Sequence, residues 1–316
     1  MTFKRYRTFL LLFLCLIFAA SPMFLTSVRA AEVDVEESEL NAFHIEIKLD
    51  TDNHKLLVKQ RLDYKNNTGV DLSEIYFNVY PPAFREVGGD TEFTSVKAAG
   101  APVSLRKVET TVYSMPLPSA LESGEKLSIE MEYVVSIPEI ENRFGHEDKV
   151  YNLGNVIVMP AVYEESGWAS NPYVDLGDAF YSDLADFTVS IKVPEGFSVA
   201  ASGALNEDGE YVAHRIRDFS FCVSNRFETK TASVGDVEIT VFYVDDMDET
   251  ATRVLETSER ALLLFNDRFS VYPYKKTVGR VKRYVERRIR HGVSHLDHGG
   301  ARHDGRRDES RRLSAR

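Results

Sequence analysis

Apolar and polar residues alternate with a period of two over most of this chain. Phe43, Ile45, Ile47 and Leu49 form one such run; Asp50-Thr51-Asp52-Asn53 turns it, and Leu56, Val58, Leu62 and Tyr64 return. A period of two places every second side chain on one face, so the pair reads as a β-hairpin with one dry side. Ile75, Phe77 and Val79 make a third strand, stopped by Pro81-Pro82. The longest alternation runs from Leu127 through Ile129, Met131, Tyr133 and Val135 to Ile137, opened by Ser123-Gly124 and closed by Pro138. Phe187 to Val193, Phe197 to Ala201, Phe219 to Phe227 and Val237 to Val244 continue the pattern. The prediction is a mainly β fold, an antiparallel β-sandwich with wet outer faces.

Tyr151 to Gly203 is the exception. Its first half is rich in Gly, Asn, Pro, Asp and Tyr, holds the one tryptophan, Trp168, and is too long for a plain connection. Its second half is the strand from Phe187, turned at Pro194-Glu195-Gly196. The stretch reads as a sheet edge with an elaborated rim, Trp168 packing between loop and sheet.

At Asp246 the period changes to that of a helix. Asp246 and Glu249 stand as a capping pair, and Val254, Leu255, Ala261, Leu262, Phe265 and Phe269 recur on one face. Tyr272-Pro273-Tyr274 ends the helix, whose apolar stripe needs a surface to cover it.

Charge divides the chain. Its formal net charge is −11, yet residues 277–316 hold twelve Lys/Arg against five Asp/Glu, which leaves the first 276 residues near −18. The acidic bulk argues against nucleic acid as a partner. The basic segment lacks alternation and large apolar residues and reads as a disordered tail. It is open to two sharper readings, an anionic-polymer segment or a metal site using His291, His295, His298 and His303.

The amino terminus reads as a signal peptide, residues 1–31. Lys4, Arg5 and Arg7 precede the apolar run Phe9 to Ala20, and Val28-Arg29-Ala30 offers a cleavage site. Secretion, or display at a bacterial cell surface, is the expected fate, with membrane attachment only if the segment stays uncleaved. Removal takes Cys15 and leaves Cys222 alone, so the mature chain forms no internal disulfide. Asn66-Asn67-Thr68 matches a glycosylation sequon but reads as a turn closing the second strand.

His291-Gly292-Val293-Ser294-His295 has the histidine spacing of the zincin motif H-E-x-x-H. Gly292 stands where the general base belongs, and Ser314 where a third ligand would lie. The spacing of His291 and His295 is therefore read as coincidence.

Residues 41 to about 276 resemble the front of a bacterial M1-family (gluzincin) zinc aminopeptidase. The matching pieces are Tyr76-Phe77-Asn78-Val79-Tyr80-Pro81 with Ala83-Phe84-Arg85, Arg143-Phe144-Gly145, Tyr151-Asn152-Leu153-Gly154-Asn155 and Ala161-Val162-Tyr163. Phe180-Tyr181-Ser182-Asp183, Ala185-Asp186-Phe187 through Val193-Pro194 to Gly203, and Tyr272-Pro273-Tyr274-Lys275 follow in order. The resemblance implies a saddle-like β domain over residues 32–245, then the start of a thermolysin-like catalytic domain at 246–276. It also implies a peptide substrate, and zinc as the cofactor of the intact enzyme.

The family's G-x-M-E-N and H-E-x-x-H motifs do not occur in this sequence. Read one base to the right, the codons of residues 290 to 295 permit Gly-Met-Glu-Tyr-Pro, a form of the exopeptidase motif. Shifting Lys276 to Val281 likewise permits a Leu-Asp-Val run. The expectation is an out-of-frame segment over 277–316 on a truncated, catalytically inactive metallopeptidase, without a cofactor of its own. The competing reading is a secreted, non-enzymatic β domain whose basic tail binds anionic polymer or metal. In the family a polar residue of the amino-terminal domain reaches the substrate. By placement before Pro160 it falls within Asp148 to Asn152, which makes Asp148, Tyr151 and Asn152 candidates for the cleft rim, with Tyr163 and Tyr181 further along. The alternative is that these residues only shape a loop.

Overall fold

The computed structural model describes residues 40–175, 179–245, 247–281 and 298–299. The alternation read from the sequence becomes a large sheet whose buried positions are every second residue. β1 (Asn41–Asp50) and β2 (Lys55–Lys65) pair antiparallel with Phe43 opposite Leu62 and Ile47 opposite Val58. Their turn is held by Asp50, whose Oδ1 accepts the amides of Asp52 and Asn53 at 3.0 Å each. β8 (Lys126–Ser136) lies on β2, and β4 (Asp90–Ala98) and β5 (Ala101–Pro102) continue outward. On the other side β14 (Ala185–Lys192), β17 (Glu210–Ile216) and β16 (Ala204–Leu205) complete eight strands. Both edges are two-residue strands, which offer little unpaired backbone to another chain.

The pairing departs from the expected sheet in one respect. β14 runs parallel to β1, Phe43 beside Phe187, with rings stacked at 4.7 Å. It lies inside the sheet, between β1 and β17, and is not an edge. The strand after Pro194-Glu195-Gly196, β15 (Ser198–Ala201), leaves for another sheet and pairs with β18 (Phe221–Ser224).

Two smaller sheets close the core. One holds β3 (Leu72–Asn78), β6 (Arg106–Glu109), β7 (Val112–Leu121) and β11 (Met159–Pro160). The other holds β15 and β18 with β9 (Phe144–Glu147) and β10 (Val150–Leu153). Ile45, Leu56, Ile129, Met131, Ile75, Phe77, Met115, Leu153 and Phe221 from all three sheets share one buried cluster. Each such side chain gains about 1.5–3 kcal/mol over exposure. A 3-10 helix, Pro81–Val87, follows β3 where Pro81-Pro82 stop it. The hairpin of β12 (Tyr163–Glu164) and β13 (Gly167–Trp168) lies against β3, with Trp168 stacked on Tyr76 at 5.9 Å.

A buried polar chain runs through the core. Tyr133 Oη donates to Gln60 Oε1 at 2.8 Å, and Gln60 Nε2 donates to the Val158 carbonyl at 2.8 Å. Polar atoms this deep require partners, and here they pin the segment before β11 onto the large sheet.

After β18 the architecture changes. β19 (Glu228–Val234) and β20 (Val237–Tyr243) form a hairpin, α1 (Asp248–Arg268) crosses over, and β21 (Lys276–Val281) returns parallel to β20. Such a β-α-β unit needs a crossover helix because parallel neighbours cannot be joined by a tight turn. α1 buries Ala251 and Leu262 and half-buries Val254 and Leu255 against β20. Phe265 and Phe269, expected on the same dry face, are 53% and 82% exposed. The N-cap is Met247, without a side-chain cap bond, and Asp246 of the expected capping pair lies outside the described residues. Residues 277–281, expected in a disordered tail, form β21 instead, pairing Thr277 with Ile239 and Gly279 with Val241. β22 (His298–Gly299) extends that sheet beside Arg280 and Val281. The expected signal peptide and the segment 282–297, with His291 and His295, lie outside the described residues, as does His303.

Candidate functional site

The β9–β10 hairpin carries three of the five predicted rim residues. Its two-residue turn is Asp148-Lys149, with φ of 48° and 64°, and Glu147 pairs with Val150 across it. Positive φ at both central positions is what a two-residue hairpin turn with matching strand twist demands. Asp148 thus stands at the tip. Beside it an open depression of about 310 Å³ is lined by Asp148, Lys149, Asn225 and Arg226.

Tyr151 and Asn152 point inward, on opposite faces of β10. Tyr151 is 2% exposed, and its hydroxyl lies 3.0 Å from His54 Nδ1. Its ionisation is pushed above the ordinary tyrosine range by burial, with Asp50 and Asp52 adding to the effect. His54 and His146 stack face to face, centroids 3.8 Å apart and planes within 7°. Asn152 Nδ2 donates to the Asn142 carbonyl at 2.9 Å, and its Oδ1 faces the Cys222 thiol at 3.7 Å. Both side chains therefore shape the hairpin from within, and Asp148 alone of the three faces solvent.

Tyr163 and Tyr181 sit elsewhere. Tyr163 pairs with Trp168 across the β12–β13 hairpin, ring edge to face at 5.0 Å. Tyr181 is 49% exposed and hydrogen-bonds Glu164, which pushes its ionisation upward. The five residues fall in two regions, one at the β9–β10 hairpin and one at the β12–β13 hairpin.

Two residues missed by the sequence reading complete the first region. Arg226 donates from Nη1 to the Asp148 carbonyl at 3.1 Å and pairs with Asp245, which leads into α1. His146 lies on β9, directly opposite Tyr151. Nothing in the local sequence marks either, because their partners are 78 and 92 residues away. Chemically the region can offer hydrogen bonds and charge. Among the described residues no three His, Cys, Asp or Glu side chains are placed to hold a metal ion, so no step through zinc is assigned to this chain.

No family model matches the chain, and no curated protein matches it. Solved structures do. An M1 zinc metallopeptidase from Deinococcus radiodurans superposes with a TM-score of 0.51 at 18% identity, over 79% of this chain and 56% of that one. The chain has an M1-like amino-terminal fold. A mutant of the same D. radiodurans enzyme gives 0.50 at 18% identity, over 77% and 55% of the two chains. A two-domain M1 zinc metallopeptidase mutant, bound to L-tryptophan, gives 0.50 at 18% identity, over 77% and 56%. The M1-like chain thus spans little more than half the length of the structures it matches. No helix among its described residues is long and apolar enough to cross a membrane.

Proposed function

We propose that this chain is the amino-terminal portion of a secreted M1-type zinc aminopeptidase, contributing a wall of the peptide-binding cleft and inactive by itself. The observation that carries the reading is the architecture's change after β18. A β domain of M1-like fold is followed by a β-α-β unit whose helix leaves Leu263, Leu264, Phe265 and Phe269 half or more exposed. A surface of that kind belongs against further protein. The zincin and exopeptidase motifs do not occur in the sequence, and Gly292 replaces the base between His291 and His295. In an intact enzyme zinc would supply the water-activating charge. This chain would contribute Asp148 at the hairpin tip, with Tyr151 and Asn152 holding the hairpin in place.

The gene decides the out-of-frame reading: downstream coding of H-E-x-x-H in another frame supports it, and a clean stop without such coding overturns it. The protein decides inactivity. Purified chain is expected to contain no stoichiometric zinc and to release no amino acid from aminoacyl substrates; zinc-dependent turnover would overturn the proposal. Salt-sensitive binding to anionic polymer, lost on deleting the residues after β21, 282–316, would instead favour a non-enzymatic binding role.

A further inference from the structure

We propose that the stacked pair His54–His146, locked by Tyr151, is an acid-sensitive latch that holds the β9–β10 hairpin onto the β1–β2 turn. His146 is 8% exposed and Tyr151 2%, so the pair is closed off on the hairpin side. The imidazoles lie parallel at 3.8 Å, a distance at which two neutral rings attract and two imidazolium ions repel. His54 sits at φ 50°, a left-handed conformation uncommon outside glycine, and its own carbonyl accepts the amide of Ile137. The latch is therefore built from three places in the chain: the β1–β2 turn, the end of β8 and the β9–β10 hairpin.

The facing groups fix the sign. On the β1–β2 side they are Asp50 and Asp52, whose charges reach Tyr151; on the link before β9 it is Glu139; within the stack they are His54 and the Tyr151 hydroxyl. Burial, then the neighbouring His54, hold the His146 imidazole below its ordinary range, against an opposing pull from Glu139. A histidine with a lowered folded value binds fewer protons folded than unfolded. Stability is then whole above the ordinary imidazole range and is lost as pH falls through it to the lowered value.

The consequence travels along one strand pair. The hairpin that carries His146 and Tyr151 ends at Asp148, whose carbonyl holds Arg226, and Arg226 reaches Asp245 at the entry to α1. Charging the stack loosens the hairpin and releases the contact between the β domain and the β-α-β unit. This inference needs only the fold, and it stands or falls apart from the peptidase reading.

The test compares amide exchange of residues 144–153 in the full chain at about pH 7.5 and about pH 5, corrected for intrinsic rates. Protection is expected to fall about tenfold or more. The variant His146→Phe keeps a flat ring in the stack without a titrating group and is expected to hold its protection across the same range. Unchanged protection in the parent, or an equal loss in His146→Phe, overturns the latch. Should that variant fail to fold, the imidazole proton signals of the parent decide. Titration of His146 in step with the hairpin amides supports the latch, and its titration with the hairpin unmoved overturns it.

Discussion

Arg226 and Asp148 are 78 residues apart in the chain and joined in the fold, Nη1 donating to the backbone carbonyl at 3.1 Å. The same guanidinium pairs with Asp245, so one side chain ties the β9–β10 tip to the segment that enters α1. The β domain and the β-α-β unit also meet where the Tyr274 hydroxyl donates to the Arg215 carbonyl at 3.1 Å. Arg226→Ala is expected to cost about 1 kcal/mol, since the pair is partly exposed and screened by water. Its more telling effect is faster proteolysis between Asn225 and Met247, with the β domain left intact. Limited digestion followed by mass analysis checks this, and unchanged fragments would contradict the strap.

Asn66 closes the second strand as a turn and not as a glycan acceptor. It is fully buried, and Nδ2 donates to the carbonyls of Val70 at 2.8 Å, Leu121 at 2.9 Å and Glu122 at 3.1 Å. Its Oδ1 accepts from the Thr68 hydroxyl at 2.6 Å. Asn66→Asp removes the donor and sets a carboxylate against those carbonyls, an expected loss of about 3 kcal/mol in urea unfolding. Asn66→Ala should cost less, about 2 kcal/mol, because it leaves unmet acceptors but buries no charge.

Much of this fold is legible because burial imposes a period. Phe43 to Leu49 and Ile129 to Val135 alternate buried and exposed as their sequence predicts, and the helix from Asp248 follows its own spacing as far as Leu262. What is illegible is what depends on distant partners. Phe187 reads as a strand residue, but nothing local says that it lies parallel beside Phe43. β11, β12 and β13 are two residues each, too short for any period to register. The same limit governs the site. Tyr151 and Asn152 stand out in a resemblance to a family, yet only the packing shows that both point inward, toward His54 and Cys222.

Gly145 is a position where no other residue fits. Its φ is 156°, and a Cβ there would come within 2.3 Å of the Ile140 carbonyl oxygen and 2.8 Å of Ile140 Cγ1. The backbone oxygen cannot move aside cheaply, because this loop is tied by the amides of Ile140 and His146 to the Pro138 carbonyl. Gly145→Ala is expected to destabilise by about 3 kcal/mol, read as a lowered thermal midpoint. The near-ultraviolet signal of Tyr151 should weaken with it. A variant as stable as the parent would mean that the hairpin can shift without loss.

The last turns of α1 and the residues just after it decide how this chain behaves in solution. Leu263, Leu264, Phe265, Phe269 and Val271 are 58, 50, 53, 82 and 76% exposed, and Phe265 and Phe269 touch at 5.9 Å. Their apolar surface adds nothing to folding, because the buried contacts of α1 are made by Ala251, Val254, Leu255 and Leu262. It does add attraction between molecules, since uncovered apolar area is relieved by any contact. The chain is therefore expected to self-associate as its concentration rises. The double variant Leu264→Lys/Phe269→Ser should remain monodisperse under the same conditions, its unfolding free energy within about 0.5 kcal/mol of the parent. Light scattering and urea unfolding separate the two effects. A large loss of stability would show that these side chains already have a partner within the fold, and undiminished association would place the adhesive surface elsewhere.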